Sequence, residues 1–356
     1  MQLMAQCAER APLAFKSNRL VRGIAGFLAM TLACRAVATP FSGRRAVLPP
    51  RVVEALYGFI LGPLSTFSYL YANPAAGSAH APDGAAVCAH YQPRLTELWT
   101  NFRDAGSAEA SRLGRGVVFT AGMLSAPIFA VEREDINACC LPGGTVLVHS
   151  GLLRALGGSD PALAFIVGHE VGHAIGRHSL EKTTAAYRNA FLIDIIMGAG
   201  ERLLRVRHRR PRLDSTWGAF HFFATCQYRI VVHTHHLVGS AVRMQAVSPQ
   251  ADDNDVEAAG KPRLRALEGV LQAVQYVHQL SDSRAHEFEA DELALHLARG
   301  AGAHVGSVYR GAEQTMQLFM RMEAGTHAAE GDDTMSTHPA AVNRLARLRR
   351  IYARGV

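Results

Sequence analysis

The chain has 356 residues, of which 49% are hydrophobic, and a formal net charge of +7. This length allows one or two domains with a substantial hydrophobic core. The six cysteines show no paired framework and no C-x-x-C spacing, so they are expected to be mostly reduced. The basic excess lies within residues 1–53, which hold eight Lys and Arg residues against one Glu, so the balanced remainder gives no evidence of nucleic-acid binding.

The N-terminal segment, residues 1–45, is rich in Arg, almost free of acidic residues and apolar, which is typical of a mitochondrial transit peptide. A disordered basic tail is the plain alternative. A secretory signal with residues 23–34 as its apolar region is disfavoured, because charged residues flank that run on both sides.

Residues 52–72 form an apolar run with a single charge, Glu54, and are long enough to cross a bilayer as a helix. Pro63 and several Ser and Thr residues leave a buried amphipathic helix open as the alternative. Arg residues precede the run, whereas no Lys or Arg follows it before Arg94. The positive-inside rule therefore predicts that the body of the chain lies on the side of the membrane opposite the N-terminus.

The body of the chain is predicted to be mainly α with a small β-sheet. Residues 73–86 form a linker rich in Pro, Gly and Ala, and an amphipathic helix follows from about Val87 to Asp104. Another helix is predicted to begin with Asp160 as its N-cap and Pro161 in the first helical position. Short β patterns lie at 127–132, 136–141 and 145–149, and later helices at about 263–280, 283–299, 306–323 and 339–352.

The most informative stretch is residues 168–173, Gly-His-Glu-Val-Gly-His, inside an apolar run. His169 and His173 are four residues apart, so they lie about one helical turn apart on the same helix face and can hold one Zn²⁺. Glu170 is turned away from this pair and is placed as a general base that takes a proton from a water. Burying these side chains on an apolar helix without a partner would be costly, which favours the metal interpretation.

A third ligand is predicted on a helix that opens at Ser283 and runs to about Arg299. Glu287 and Asp291 are four residues apart, so their carboxylates point the same way. One can complete the zinc site while the other hydrogen-bonds the outer nitrogen of a ligating histidine. Glu287 is the better ligand, since Glu289 faces nearly the opposite way, and Asp291 is then the residue that orients a histidine.

Four blocks of the chain together resemble the gluzincin metalloendopeptidases of the HtpX and CAAX-prenyl-protease type. Within that family the chain is most similar to the mitochondrial inner-membrane branch whose activity overlaps that of the m-AAA protease. The blocks occur in the family's order over roughly residues 90–355. They are residues 136–144 (INACCLPGG), 168–182 (GHEVGHAIGRHSLEK), 283–291 (SRAHEFEAD) and 336–339 (STHP) with Asn343-Arg344 following.

The resemblance implies a zinc metallopeptidase domain over residues 87–355, with one Zn²⁺ per chain and with His338 reaching into the site to stabilise an oxyanion. It also implies that the edge of the small sheet pairs with an extended substrate. The residues expected at this substrate rim are Asn137, Ala138, Pro142, Gly143 and Gly144. The separation of His173 from Glu287 is longer than is usual in the family, which indicates an insertion at about 202–265.

The resemblance further implies that the substrates are membrane proteins and that the protein contacts a lipid bilayer. It also allows assembly into a homo-oligomer. The expected location is the mitochondrial inner membrane, with the catalytic domain facing the intermembrane space and a role in quality control and stress response. Two alternatives stay open. An endoplasmic-reticulum protease of the CAAX type is disfavoured because that branch spans the membrane several times. A non-catalytic zinc-stabilised scaffold is disfavoured because structural zinc has no use for the base Glu170.

Overall fold

A computed structural model describes Ile24 and residues 37–38, 45–46, 83–112, 127–141, 144–203, 260–327 and 339–355. Most of the predicted transit peptide, the candidate membrane span and most of the predicted linker and insertion lie outside these ranges. Within them, no helix is both long enough and apolar enough to cross a membrane. The chain divides into two compact units, a larger one of residues 36–182 with 281–356 and a smaller one of residues 1–35 with 183–280.

The described elements confirm a mainly helical fold with one small three-stranded sheet. In chain order they are β1 (Val37–Ala38), β2 (Arg45–Ala46), α1 (Gly84–Arg112), β3 (Ile128–Val131), β4 (Ala138–Cys140), β5 (Val146–His149), α2 (Ser150–Ala155), α3 (Asp160–Gly176), α4 (His178–Leu203), α5 (Gly260–Ala298), α6 (Val305–His327) and α7 (Ala341–Ala353). The sheet order is β3–β5–β4, with β3 parallel and β4 antiparallel to the buried central strand β5.

Several predicted boundaries differ from the structure. The two helices predicted at 263–280 and 283–299 are one continuous helix, α5, because the polar residues between them include no Gly or Pro that would end it. The helix predicted from Val87 begins at Gly84 and continues to Arg112. The strands lie where they were predicted but are shorter at their ends.

Helix α3 lies in the core of the larger unit, where it packs against α1 and α6 and where most of its residues are buried. Its N-cap is Ser159 and not Asp160 as predicted, since the Ser159 side chain accepts a hydrogen bond from the Ala162 amide at 3.4 Å. Asp160 instead accepts two hydrogen bonds from Arg94 of α1. This pairing fixes the start of α3 against α1.

Two glycines of α3 allow a close approach to α5. A Cβ at Gly172 would lie 3.0 Å from the Cα and the carbonyl oxygen of Ala290, and one at Gly168 would lie 3.2 Å from the Cα of Ala294. The two glycines are four residues apart, as are the two alanines, so a row of small residues on α3 faces a row of small residues on α5. The crossing brings Glu287, one turn before Ala290, against the face of α3 that carries the two histidines.

The smaller unit contains the C-terminal part of α4 and the N-terminal part of α5 among its described residues. Met197 is buried there, and Ile193 and Leu271 pack against it. Val270 and Val274 of α5 are exposed.

Candidate metal centre

The three side chains predicted as zinc ligands lie together where α3 and α5 cross. The Nε2 atoms of His169 and His173 are 3.1 Å apart. The carboxylate oxygens of Glu287 lie 3.5 Å from Nε2 of His169 and 3.4 Å from Nε2 of His173. In the part of the chain that the structure describes, these three residues form the group of His, Cys, Asp and Glu side chains that could hold a metal ion.

The spacing of the donor atoms fits a tetrahedral zinc site. Ligand bonds of about 2.0–2.1 Å place two tetrahedral ligands roughly 3.3–3.4 Å apart. The separations of 3.1, 3.4 and 3.5 Å lie around that value. Two imidazole nitrogens and one carboxylate oxygen are ligands that zinc prefers, and a set of three protein ligands is typical of catalytic rather than structural sites.

His169 is held through its other ring nitrogen by a buried ion pair. Its Nδ1 lies 2.9 Å from Oδ1 of Asp291, and Arg344 of α7 donates to both Asp291 oxygens at 2.8 and 2.6 Å. Arg344 also lies 3.3 Å from Oε2 of Glu287. Burial disfavours a charged His169, but the hydrogen bonds to Asp291 and Glu287 outweigh it and raise the pKa of His169 to about 10 in the metal-free chain. Asp291 thus occupies the orienting position predicted for it.

At its other ring nitrogen, His173 meets a second histidine and not an ion pair. Its Nδ1 lies 2.8 Å from Nδ1 of His178, the first residue of α4. The His178 ring stacks on His286 with centroids 4.3 Å apart, and His286 Nε2 lies 2.8 Å from Oε2 of Glu181. Burial lowers the pKa of His173 to about 4, although the Glu287 carboxylate opposes this shift. Burial also lowers the pKa of His178, so both rings are neutral at neutral pH.

Glu170, the predicted base, is buried beside the ligand group and is not part of it. Burial raises the pKa of the Cys140 thiol on β4, and the charge of Glu170 raises it further. Burial opposes the charge of Arg344, but Asp291 and Glu287, and to a smaller extent Glu170, outweigh it and raise the pKa of Arg344. Glu170 therefore acts electrostatically on both the edge strand and the arginine behind the ligands.

Three of the five predicted rim residues lie in the described part of the chain. Asn137 immediately precedes β4 and Ala138 is its first residue. Gly144 is in the turn before β5 with a φ of 90°, a conformation that favours glycine. The described residues do not include Pro142, Gly143 or the catalytic candidate His338. Their roles stay predictions.

Among the strands of the described residues, β4 is at the edge of the sheet, next to α3. Asn137 accepts a hydrogen bond from the His149 amide, and the Leu141 amide donates to Thr145, so these two residues face β5. Because residues of an antiparallel strand alternate in direction, Ala138 and Cys140 direct their backbone groups away from β5. That side of β4 offers the hydrogen-bonding groups of a strand edge.

Two residues at the centre of the site, Arg344 and His178, were not predicted from the sequence to have a role there. Arg344 shares the buried face of α7 with Ala341, Leu345 and Leu348, so a charged residue at helical spacing among apolar ones was the available signal. His178 gave no such signal, since its spacing of five residues from His173 does not place both on one helix face.

A family comparison fits this geometry. The model of Peptidase family M48 matches residues 107–352, more than half of the chain. The chain belongs to Peptidase family M48. The resemblance inferred from the four sequence blocks is confirmed, since the family model and the similar relatives agree with it.

Curated relatives match over shorter stretches. The "Mitochondrial metalloendopeptidase OMA1" of Arabidopsis thaliana is 43% identical over 61 residues, which are 17% of this chain and 12% of that protein. The "Metalloendopeptidase OMA1, mitochondrial" of Bos taurus is 40% identical over 65 residues, 18% of this chain and 12% of that protein. The "Beta-barrel assembly-enhancing protease" of Escherichia coli O157:H7 is 23% identical over 239 residues, 66% of this chain and 36% of that protein. The chain thus spans only a small part of these relatives, and no solved structure matches it.

Proposed function

We propose that the chain is a zinc-dependent endopeptidase that cuts membrane or membrane-associated proteins and acts in quality control and stress response at the mitochondrial inner membrane. The observation that carries the proposal is the largely buried group of His169, His173 and Glu287, whose donor atoms are 3.1–3.5 Å apart, with Glu170 beside it. Membership of Peptidase family M48 supports the same chemistry.

The residues present fit Zn²⁺, which His169, His173 and Glu287 would hold. When bound, the ion supplies Lewis-acid chemistry that lowers the pKa of water and polarises a carbonyl group. Asp291 and His178 engage the Nδ1 atoms of the two histidines and leave both Nε2 atoms turned toward Glu287. The protein therefore offers three preset donors, and a bound ion would have a further position for water or substrate.

Glu170 has the role of general acid–base. Its carboxylate takes a proton from the attacking water and delivers it to the nitrogen of the leaving amine, since that amine must be protonated to depart. Its buried position beside the ligands favours this role, because a base has to lie within one hydrogen bond of the proton it moves. His338 remains the proposed donor to the oxyanion of the tetrahedral intermediate.

The open edge of β4 is the proposed substrate rim. An extended peptide that pairs with the outward groups of Ala138 and Cys140 would lie next to α3 and within reach of Glu170. Pairing of this kind binds backbone and not side chains, so it suits a protease that accepts varied sequences. Pro142, Gly143 and Gly144 would line the end of this rim.

The mitochondrial location rests on the basic N-terminal segment and on the short similarity to two mitochondrial metalloendopeptidases. We expect mitochondria to import the chain, to trim residues near its N-terminus and to retain the body after carbonate extraction, with residues 52–72 as the anchor. Protease added after rupture of the outer membrane should digest the catalytic domain. Full protection under those conditions would contradict the proposed orientation toward the intermembrane space.

The decisive test of the proposed function is Glu170→Gln, compared with His169→Ala. The Gln side chain keeps the size of Glu170 but removes its basicity, so zinc content should stay near wild type while cleavage of a peptide or membrane-protein substrate falls about 100-fold or more. His169→Ala removes a ligand and should lose metal and activity together.

The same comparison separates the enzyme from the scaffold alternative. A wild-type chain that binds zinc and cuts no membrane protein or peptide, at rest or under stress, would favour the scaffold. A Glu170→Gln chain that cleaves as fast as wild type would contradict the assigned base.

A further inference from the structure

We propose that His178 is a positioning residue for the metal centre: it accepts a hydrogen bond from Nδ1–H of His173 and so holds His173 in the tautomer whose Nε2 is free to bind the metal. The inference deepens the proposed function and rests on its metal site. His178 orients His173 as Asp291 orients His169, but it does so through an uncharged imidazole.

A break in the helix brings His178 to His173. On an uninterrupted helix, residues five apart are about 140° apart around the axis, so their side chains diverge. Helix α3 instead ends at Gly176, and Arg177 adopts a left-handed conformation with φ 59° and ψ 34° before α4 begins at His178. This conformation is uncommon for a residue other than Gly, Asn or Asp, and the turn returns the His178 ring beneath His173, with the two Nδ1 atoms 2.8 Å apart.

The proton positions follow from the two contacts of each ring. A histidine that binds a metal through Nε2 carries its proton on Nδ1, so His173 is the donor in the contact between the two Nδ1 atoms. His178 must then accept at Nδ1 and carry its own proton on Nε2. That Nε2 lies 3.6 Å from Oε2 of Glu289, so the proton of His178 faces a carboxylate.

The His178 ring is also fixed in orientation. It is 1% exposed and stacks on His286 at an interplanar angle of 19°, and His286 is held by Glu181. Gly176 provides the room, because a Cβ at that position would lie 2.6 Å from Nε2 of His178. A ring packed on one face and hydrogen-bonded at its edge can support a metal ligand without large motion.

The test compares zinc affinity, measured by chelator competition, in the full chain and two variants. His178→Phe keeps an aromatic ring against His286 but removes the acceptor, and we expect zinc binding about 10–100-fold weaker than wild type. His178→Gln restores an acceptor through its amide oxygen and should recover affinity to within a few-fold. The visible absorption of the Co²⁺-loaded chain should change in His178→Phe and return toward wild type in His178→Gln, which a loss of packing alone would not produce.

Gly176→Ala gives a second route that does not remove His178. Its new Cβ should displace the His178 ring and weaken zinc binding, whereas Gly269→Ala, another helical glycine with nothing within 4 Å of the new Cβ, should leave zinc binding unchanged. His178→Phe with wild-type zinc affinity would overturn the inference, as would His178→Phe and His178→Gln that lose affinity equally.

These outcomes remain distinct from failure of the proposed function. If His178→Phe loses zinc and His178→Gln retains it, but the wild type cleaves no peptide, the positioning role stands and the peptidase function fails. If the wild type binds no zinc, the metal site fails and the inference fails with it.

Discussion

His169 and His173 lie one turn apart on the same helix and are held in opposite ways. A buried ion pair of Asp291 and Arg344 supports His169, whereas the neutral ring of His178 supports His173. Burial lowers the pKa of both rings, but the hydrogen bonds of His169 to Asp291 and Glu287 outweigh it, so the pKa is about 10 for His169 and about 4 for His173 in the metal-free chain. Identical residues at ideal ligand spacing are thus chemically different, because tertiary neighbours and not the helix decide their charge.

The largest effect on stability is expected from removing Arg344, the cation of the ion pair that supports His169. Arg344→Leu leaves the carboxylates of Asp291 and Glu287 buried without their cation, and we expect it to lower the free energy of unfolding by about 3–5 kcal/mol. Arg347→Leu, three residues along α7, removes an exposed pair with Glu292 and should cost less than about 1 kcal/mol. Urea denaturation of both variants checks this, and equal losses would contradict a buried, coupled role for Arg344.

The two pairs of side chains that meet at the candidate metal centre could be predicted because the spacing within each pair is local. His169 with His173, and Glu287 with Asp291, each follow from a separation of four residues on a helix. The support could not be predicted in full. Arg344 reaches the site from a distant helix, and His178 reaches it only because Arg177 leaves the helical conformation, which no periodicity of the sequence indicates.

The fold shows the same division. Strand positions and the long helices follow from hydrophobic patterns, whereas the crossing of α3 and α5 depends on Gly168 and Gly172 meeting Ala290 and Ala294. Each glycine alone is a weak signal, and the pairing becomes visible only once both helices are placed. The continuous α5 likewise shows that polar residues without Gly or Pro do not end a helix.

The helix crossing gives a prediction of intermediate size that affects both histidines together. Gly172→Ala places a Cβ 3.0 Å from the backbone of Ala290, so α5 must shift or strain, at a cost of about 1–3 kcal/mol in stability. Because Glu287 lies on α5, zinc affinity should fall as well. Gly269→Ala in the same assays is the control and should be neutral or slightly stabilising, as expected for an unhindered helical glycine. Equal changes of stability and zinc affinity in the two variants would show that the close contact of α3 and α5 does not determine the geometry of the metal site.

The difference in charge predicts a smaller effect in pH titration. The raised pKa of His169 contributes stability to the metal-free chain that is complete below about pH 6.5 and lost as the pH rises toward about 10. The lowered pKa of His173 contributes stability that is complete above about pH 6.5 and lost as the pH falls toward about 4. Zinc uptake at pH 7 should therefore release about one proton, from His169.

Calorimetry of zinc binding in buffers with different ionisation enthalpies measures that proton, and histidine NMR signals of the metal-free chain assign it. Release of no proton, or loss of the proton from His173 in place of His169, would show that the two supports do not differ in charge as described.

We propose that His169, His173 and Glu287 together form one zinc site. Zinc content of the purified chain after dialysis tests it most directly, with Glu287→Ala compared with Glu292→Ala, an exposed carboxylate on the same helix. We predict about one zinc per chain for the wild type and for Glu292→Ala, and little or none for Glu287→Ala. Equal zinc retention by the two variants, or a wild type without zinc, would contradict the account.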